Sequence, residues 1–416
     1  MLGEVEYERV VYETQSEEGI KGCVYLLDEA MGISGSGFMS GLLSEQIVQA
    51  SCENSYRGAA RSVSEMTGQS ISHTAAWHVI QQFGDRINTQ EERAAKLAAT
   101  HKGKGKLETK LLFEEQDGIY LNLQGADRKR EGKGKEMKLA VAYDGAKKVG
   151  KDRYELTHKV ACANFERIQS FVRRKEGVIA DTYNTDEIEM RFLNGDGAAW
   201  IKRSVCDDMV HFQLDVFHRN RAIRQWVKDA EKQKLIFELL YSKRIDDLLG
   251  CIEGYINCLD DTVEEEAIEK ENLNSLLTYF TSNKDGLVPC HRRGLKLPQP
   301  PEGVEYRRMG AMESNIFTVL GNRMKGGRAC WSIKGGNNLA RLLCLKATKK
   351  LSHTLQSLTS TVLSERYAEA TITFLSSTKI AKSVGEGYNG FMKASLSDAP
   401  ELQAFREKFG LTPFSS

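Results

Sequence analysis

The order of hydrophobic patterns between residues 113 and 220 constrains the fold more than any other part of the chain. Apolar and polar residues alternate over residues 119–123, and two further strand-like segments follow, MKLAVAYDG and ELTHKVACANF. A helical segment comes next, and then two short apolar segments, EMRFLNGDG and HFQLDVF. Three consecutive strands, followed by strands that alternate with helices, predict one mixed α/β sheet.

The residues before this sheet predict a hairpin and then two helices. Residues 4–27 alternate around the turn-forming SEEG, which is typical of a β-hairpin. From about residue 40 the apolar spacing is helical, Gly68 ends one helix, and Ser70 or Ser72 can cap the next. This is a helix-turn-helix pattern, whose second helix can enter a DNA major groove, although paired helices are also common in all-α domains. The residues that we expect to contact DNA here are Arg57, His73, Thr74 and His78.

Changes of pattern and composition divide the chain into seven segments. They are a β-hairpin (1–30), a helical DNA-binding domain (31–90), a charged linker (91–112), the first part of the α/β core (113–220), an all-α insertion (221–303), a helix carrying a third acid (304–345) and a helical C-terminal region (346–416). The insertion is nearly continuous in helical, charged pattern. Four of the six prolines lie between Pro289 and Pro301 and indicate an irregular loop before the third-acid helix.

The charge balance requires any nucleic-acid surface to come from local clusters. The formal net charge is only +1, from 58 Lys and Arg against 57 Asp and Glu. Basic residues cluster at 102–106, 128–135, 219–224 and 323–328, although such clusters are also typical of solvated loops and helix faces. In the last cluster we expect DNA contacts from Arg323, Lys325 and Arg328.

The cysteines and the hydropathy indicate a cytoplasmic protein. Nine cysteines are scattered without a CxxC pair, which favours reduced thiols over a disulfide framework or a zinc module. No signal peptide is recognisable, and no apolar segment approaches the roughly 18 residues that span a bilayer. We therefore predict a cytoplasmic, nucleoid-associated protein without a membrane partner.

Three carboxylates stand where a strand or a helix is predicted to begin or end. Asp117 precedes the alternating strand, so we expect its side chain at the start of the sheet. Asp196 is flanked by glycines, which let the backbone turn sharply and let a phosphate or a metal ion approach. Glu313 falls in the first turn of a predicted helix. Aspartate in turns and glutamate in first turns also have purely structural roles, and the acids at 264–266 are typical of a solvated face.

Three converging carboxylates suit a magnesium site for phosphodiester chemistry. Mg²⁺ prefers hard oxygen ligands, from one or two carboxylates together with substrate oxygens and water. Two such ions about 3.5–4 Å apart can activate an attacking hydroxyl and stabilise the leaving oxygen. The sequence therefore predicts an enzyme that cuts DNA.

Several sequence blocks, in the same order, resemble those of bacterial DDE-type insertion-sequence transposases. In the α/β part these blocks are DGIYLNLQG, NGDGAAWI, LDVFHRNRAI and GAMESNIFTVLGNRMKGGRACWSIKGGNNLARL. In the DNA-binding part they are VYLLDEAMGI and SYRGAARSVSEMTGQSISHTAAWHVIQQFG. The chain looks most like the ISLre-type family, which is related to the mutator-like group, and the resemblance runs from about residue 5 to the C-terminus.

This resemblance implies a ribonuclease H-like core in which Asp117, Asp196 and Glu313 hold two Mg²⁺ or Mn²⁺ ions. It implies a transposase that binds the terminal inverted repeats of its element, exposes a 3′-hydroxyl there and joins it to target DNA, as a homodimer or larger assembly. Asp215 and His218 match the family's D-x-x-H element, although Asp215 can also simply cap a helix. Trp331 can stack on an unpaired base or lie in the core.

Two other classes of protein remain open at this point. An inactive or host-adopted relative would keep the DNA-binding helices and act as a regulator without catalysis. A ribonuclease H-fold nuclease would cut DNA without joining it.

Overall fold

The computed structural model describes residues 10–15, 21–24, 39–100, 105–204, 208–360 and 371–374. They fall into two compact units, the smaller within residues 3–41 and 357–416 and the larger over residues 42–356. In the smaller unit, β1 (Tyr12–Gln15) and β2 (Lys21–Val24) pair antiparallel. This is the predicted N-terminal hairpin; the remaining residues up to 38, including the rest of the hairpin segment and the start of the helical domain, lie outside the described residues.

A mixed sheet forms the centre of the larger unit. The strands of the larger unit are, in chain order, β3 (Leu111–Leu123), β4 (Gly134–Tyr143), β5 (Ala146–Lys148), β6 (Tyr154–Leu156), β7 (Val160–Asn164), β8 (Met190–Gly195), β9 (Val210–Leu214) and β10 (Cys330–Trp331). All of them except β5 and β6 belong to the mixed sheet. The strand order is β7-β4-β3-β8-β9, with β10 added to the end of β3 and β5 paired with β6. The pairs β3–β4 and β4–β7 are antiparallel, whereas β8, β9 and β10 run parallel to β3. The predicted mixed α/β sheet is confirmed.

Helices precede the sheet, cover it and follow it. In chain order they are α1 (Gly41–Glu53), α2 (Tyr56–Thr67), α3 (His73–Ala99), α4 (Gly125–Glu131), α5 (Ile168–Thr182), α6 (Ala199–Lys202), α7 (Val216–Trp226), α8 (Ala230–Tyr241), α9 (Ile245–Asn257), α10 (Glu264–Ser282), α11 (Met312–Asn315), α12 (Asn322–Met324), α13 (Ile333–Ala347) and α14 (Leu351–Ser360). A π-helical turn (Ile316–Gly321) joins α11 to α12. Gly68, at φ +72°, ends α2, and the Ser72 hydroxyl accepts the Ala75 N–H to cap α3, as the sequence predicts.

The helix α3 is longer than the sequence pattern indicates. The linker predicted for residues 91–112 is wrong over 91–99, because α3 continues to Ala99 and packs against α5 and α13. The charged residues that suggested a linker are paired: Glu91 accepts from Arg341 at 2.9 Å, and Glu92 accepts from Arg174 at 2.9 Å. Residues 101–104, with the basic Lys102 and Lys104, lie outside the described residues.

The helices α7 to α10 form a core of their own. Fourteen buried apolar residues from Leu214 to Leu287 make this core, with no strand between them among the described residues. The all-α segment predicted for 221–303 is thus helical, beginning slightly earlier at Val216 and ending in short turns and an irregular stretch before α11. In the described part of the chain, no helix is both long enough and apolar enough to cross a bilayer.

The C-terminal region is not all helical. After α14, β11 (Thr371–Phe374) pairs antiparallel with β1 and completes a three-stranded sheet in the smaller unit. The helical prediction for 346–416 is therefore wrong over 371–374, where the TITF sequence is rich in β-formers. Residues 361–370 and 375–416 of that prediction lie outside the described residues.

Candidate metal centre

Three aspartates lie at the same level of three adjacent parallel strands, Asp117 within β3 and Asp196 and Asp215 directly after β8 and β9. The β3–β8 ladder ends at the pair Gln116 and Gly195, so Asp117 and Asp196 are the next residues of these two strands. The β8–β9 ladder ends at Gly195 and Leu214, and Asp215 follows Leu214. Carboxylates at the ends of neighbouring parallel pairs meet at one place because parallel strands share their direction.

Asp117 does not lie at the start of the sheet, as the sequence pattern suggests, but in the middle of β3. The strand begins six residues earlier, and its residues Glu114, Glu115 and Gln116 are buried. Glu114 is paired with Lys175 Nζ at 2.6 Å and with the Arg191 guanidinium. The hydrophobic pattern does not predict this half of the strand, because three of its buried residues are charged or polar. The charge of Glu114 is neutralised by partners that are distant in the sequence.

Asp117, His218 and Glu313 come together although they lie far apart in the sequence. One ligand atom from each residue lies within 4.8 Å of the other two. Nε2 of His218 is 3.9 Å from Oδ2 of Asp117, and both side chains are partly buried. His218 lies in the first turn of α7 and Glu313 in the first turn of α11, so the start of each helix adds a side chain to β3. The resulting set offers two carboxylates and an imidazole to a metal ion.

Asp196 borders this group on a tightly fixed loop. Its Oδ1 accepts the Ala198 N–H at 2.8 Å, and its carbonyl accepts the Tyr279 hydroxyl of α10 at 2.8 Å. Gly197 has φ +85°, and a Cβ there would lie 2.4 Å from Oδ1 of Asn283. Glycine is therefore favoured after Asp196, mainly because other residues rarely adopt this backbone conformation.

The carboxylates of the site repel one another. The pKa of Asp117 is raised to about 6, mainly by burial and further by the negative charges of Asp196 and Glu313. The N–H of Gly118 and the charge of His218 act in the opposite direction. Bringing like charges into a partly buried site costs free energy, which a bound divalent cation offsets.

Asp117→Asn should therefore stabilise the metal-free protein at neutral pH. The folded-state pKa of about 6 lies above the ordinary 3.8, so the unfolded chain ionises first and stability falls as the pH rises between the two values. At pH 7 the asparagine variant gains up to about 3 kcal/mol of unfolding free energy, from 1.36 kcal/mol per pKa unit. The gain disappears below about pH 4, where both states are protonated. Thermal unfolding in EDTA at the two pH values measures it.

The exposed Asp152 provides the control for this variant, because Asp152→Asn removes one charge away from the site. Adding Mn²⁺ should then raise the melting temperature of the wild type and leave Asp117→Asn nearly unchanged. An asparagine variant that is equally destabilised at both pH values would contradict the assignment of Asp117 to a repulsive cluster.

A buried carboxylate, Glu115, ties the third-acid helix to β3. Its oxygens accept the backbone N–H groups of Gly310, Ala311 and Met312 at 3.1–3.3 Å. The Tyr143 hydroxyl donates to the same carboxylate at 2.6 Å. Glu115 thus satisfies the N–H groups at the start of α11 and fixes the turn that carries Glu313. Sequence analysis missed this residue, whose only signal was an acid two positions before Asp117.

The network continues through Asn194 to the helix that carries His218. Asn194 Nδ2 donates to Glu115 at 3.2 Å and to Oδ2 of Asp215 at 2.7 Å. Oδ1 of Asp215 accepts the N–H groups of Phe217 and His218 at 2.8 and 3.2 Å. The sequence leaves two roles open for Asp215, a helix cap and a direct role in the site. The structure shows the helix cap, through which Asp215 orients α7.

The candidate DNA contacts divide into exposed and packed residues. Exposed side chains occur on α2 (Arg57), at the start of α3 (His73, Thr74 and His78) and in the loop after α12 (Lys325 and Arg328). Arg323, which the sequence predicts as a DNA contact, is packed, since its Nε donates to the Ser51 carbonyl at 2.7 Å and its guanidinium lies over two aromatic rings. Trp331 is 6% exposed, and its indole N–H donates to the Met324 carbonyl at 2.8 Å. Of the two roles that the sequence leaves open for Trp331, the structure shows the core position. In this conformation its ring cannot stack on a base.

The fold and the site define a mixed α/β protein with an acidic centre formed by three separate elements. The chain belongs to the UPF0236 family, described as an uncharacterised protein family, whose model matches residues 1–353. Two UPF0236 proteins of Caldanaerobacter subterraneus subsp. tengcongensis are each 24% identical over 348 and 347 residues, covering 82% of this chain and 66% and 62% of their own lengths. The UPF0236 protein in the vanSb 3′ region of Streptococcus gallolyticus is 22% identical over 363 residues, or 82% of this chain and 70% of that protein. The chain thus spans about two thirds of the curated relatives that it matches.

Proposed function

We propose that this chain is the transposase of an insertion sequence, which cuts DNA at the ends of its element and joins them to target DNA. The observation that carries the proposal is the convergence of Asp117, His218 and Glu313 beside Asp196. The three acids are 79 (196 − 117) and 117 (313 − 196) residues apart. Side chains from three distant parts of the chain that lie within 4.8 Å of one another, with Asp196 nearby, are more specific than any one acid alone.

The sheet supports the same proposal. Three antiparallel strands with β3 at the inner edge, followed by β8 and β9 parallel to it, are the order expected of a ribonuclease H-like core. The first acid then lies on the central strand, the second follows the neighbouring parallel strand, and the third begins a helix after an all-α segment.

The donor set fits divalent cations that prefer oxygen ligands. Asp117, Asp196 and Glu313 would hold Mg²⁺, and the imidazole of His218 also suits Mn²⁺. Two bound ions would supply an activated attacking oxygen and charge stabilisation at the leaving oxygen. The chain's own residues position these groups: Tyr279 fixes the Asp196 loop, Glu115 fixes the start of α11, and Asp215 fixes α7. His218 Nε2 is placed either to complete the ligand set or to accept a proton next to Asp117.

The names of two relatives support a mobile element. One UPF0236 protein of Caldanaerobacter subterraneus carries eleven gene designations, and another carries four. A protein that one genome encodes at several places is what an element that moves or copies itself leaves behind. We extend this to the present chain as part of the proposal.

End-labelled DNA tests the function directly. The probe carries the DNA that flanks this gene, and it is incubated with the full chain, Mg²⁺ and an unlabelled target plasmid. Cleaved ends that become joined to the plasmid support the transposase, with a dimer or larger assembly expected on paired ends. Cleavage without joining supports the nuclease alternative. Binding without cleavage supports the regulator.

The start of α3 should read bases if α2 and α3 form a DNA-binding helix-turn-helix. Replacing both His73 and Thr74 by alanine should weaken binding to the flanking DNA by roughly 1–3 kcal/mol for each base that is no longer recognised, with little effect on random DNA. Competition gel shifts with the two DNAs measure this difference. The control is Glu65→Ala on the exposed face of α2. An equally large decrease in binding to random DNA would show that these side chains touch only the DNA backbone.

A further inference from the structure

A cavity of about 460 Å³ lies between α7, α8, the turn at 290–292 and the segment before α11. Four basic side chains line it: Arg219, His291, Arg292 and Arg308. Its apolar wall is formed by Val216, Phe237, Leu240 and Pro289. The cavity therefore combines concentrated positive charge with a partly apolar surface.

The positive charges of this cavity have no carboxylate partner among the described residues. No Asp or Glu lines the cavity, and Arg219, Arg292 and Arg308 form no ion pair with any described carboxylate. Arg219 donates to the Leu287 carbonyl at 2.8 Å and to the Asn220 side chain. Arg292 donates to the Tyr241 carbonyl, and its guanidinium lies 4.3 Å from the centre of that ring. These neutral partners orient the guanidinium groups, and among the described residues only the nearby carboxylate of Asp215, which forms no ion pair with Arg219, offsets part of the Arg219 charge.

The electrostatic environment reflects the same concentration of charge. The pKa of Arg219 is lowered, mainly by burial and also by the nearby charge of Arg292, while the charge of Asp215 acts in the opposite direction. The pKa of His291 is lowered by burial and by the charges of Arg308 and Arg292. Positive charges from the 290–292 turn and the segment before α11 therefore act on one another across the cavity.

The cavity shares its supporting elements with the metal centre. Arg219 follows His218 in α7, and Arg308 precedes Glu313 by five residues (313 − 308). The turn that carries His291 and Arg292 begins at Cys290, whose N–H donates to Oε1 of Gln213 at 2.8 Å. Nε2 of Gln213 in turn donates to Asn194 of the buried network at 3.0 Å. These hydrogen bonds thus connect the turn that carries His291 and Arg292 to the buried network that supports the acidic group.

We propose that this cavity is a phosphate-binding site, which takes the backbone of a DNA strand entering the carboxylate centre; this step rests on the proposed function. Guanidinium groups match phosphate oxygens in charge and in hydrogen-bonding geometry. A continuous strand is favoured over a free phosphate compound because the charges run from the half-buried Arg219 and Arg292 to the exposed Arg308. Cations clustered in a cavity that shares α7 with the acidic group can hold a polyanion whose reacting phosphate would otherwise be repelled by the carboxylates.

The test measures DNA binding separately from cleavage. A fluorescein-labelled DNA duplex is titrated in EDTA at several salt concentrations with the full-length Asp117→Asn protein. In this background, Arg308→Gln and Arg292→Gln should each weaken binding about tenfold and reduce the slope of log K against log salt by about 0.9 per phosphate that is no longer neutralised. Arg308→Lys should restore most of the slope, because it keeps the charge. The control is Arg244→Gln, since Arg244 is exposed and paired with Asp247.

The outcomes separate this site from the proposed function. If both glutamine variants melt like their parent and bind the duplex with unchanged affinity and salt slope, the proposed site is wrong, even if the wild type cuts DNA. If their binding and salt slope decrease, the site is supported, even if the wild type never cuts. Competition with adenosine monophosphate and with inorganic phosphate identifies the source: tight binding of either compound, together with unchanged duplex binding in the variants, overturns the DNA assignment.

Discussion

If the proposed function holds, Glu313→Gln should abolish DNA cleavage and leave DNA binding intact. We expect a loss of at least about 10³-fold in the cleavage rate, which is about 4 kcal/mol at 1.36 kcal/mol per tenfold change. The reason is that Glu313 adds the only α11 carboxylate to the group with Asp117 and His218 among the described residues, and a neutral amide holds a divalent cation much less well. Glutamine keeps the size of the side chain and removes only its charge. Cleavage of end-labelled DNA in Mg²⁺ and a gel shift in EDTA measure the two effects.

The control for Glu313→Gln is Glu265→Gln. Glu265 is an exposed acid in the first turn of α10, so the same change is made at the same position of a helix outside the acidic group. Its cleavage rate should match the wild type. Retained cleavage in Glu313→Gln would remove Glu313 from the site, and a loss in Glu265→Gln would mean that the acids of α10 take part.

Glu115→Ala destabilises the protein by about 3–5 kcal/mol, the range seen when one partner of a buried charged network is removed. The substitution leaves the N–H groups of Gly310, Ala311 and Met312 and the hydroxyl of Tyr143 without their acceptor. Because these N–H groups belong to the turn before Glu313, the variant should also bind Mn²⁺ about 10–100-fold more weakly, as for other residues that orient ligands. Chemical unfolding with and without Mn²⁺ measures both effects.

Two further variants test this prediction even if Glu115→Ala does not fold. Glu115→Gln keeps the shape and part of the accepting capacity, so it should fold, bind Mn²⁺ more weakly than the wild type and cut DNA with the wild-type preference for cation. Glu108→Ala, an exposed acid three residues before β3, should change the unfolding free energy by less than about 0.5 kcal/mol. A Glu115→Gln protein with wild-type Mn²⁺ affinity would show that Glu115 stabilises the fold without positioning Glu313.

The predictions from sequence were most accurate where the pattern was local. The alternating strands, the cap at Ser72, the end of α2 at Gly68 and the helical character after β9 are all determined by neighbours a few residues apart. The sequence pattern does not predict the first half of β3, because Glu114 and Glu115 are buried in a strand and their partners lie 28 to 197 residues away. No local spacing reports a charge that is neutralised at that distance.

The candidate site shows the same division. Asp117 and Asp196 could be selected from turn chemistry and flanking glycines, whereas Glu313 was selected mainly by resemblance to a family. The structure gives a physical reason for the position of Glu313: the N–H groups at the start of its helix donate to the carboxylate of Glu115. Arg323 and Trp331 were chosen for their residue type, and the packing around Tyr56 decides that they are internal.

The hydrogen bonds from Gly310 to Glu115 span 195 residues. This separation affects when the acidic group can form during synthesis of the chain. The β3 strand leaves the ribosome long before the turn that it binds. Until residues 310–313 have been translated and have docked, Glu115 lacks these partners and the acidic group lacks its last member. A nascent chain or one that is truncated before this turn can therefore contain α2 and α3 without the complete group of Asp117, His218 and Glu313. Any activity of this group would therefore be delayed until residues 310–313 have been made and have docked on β3.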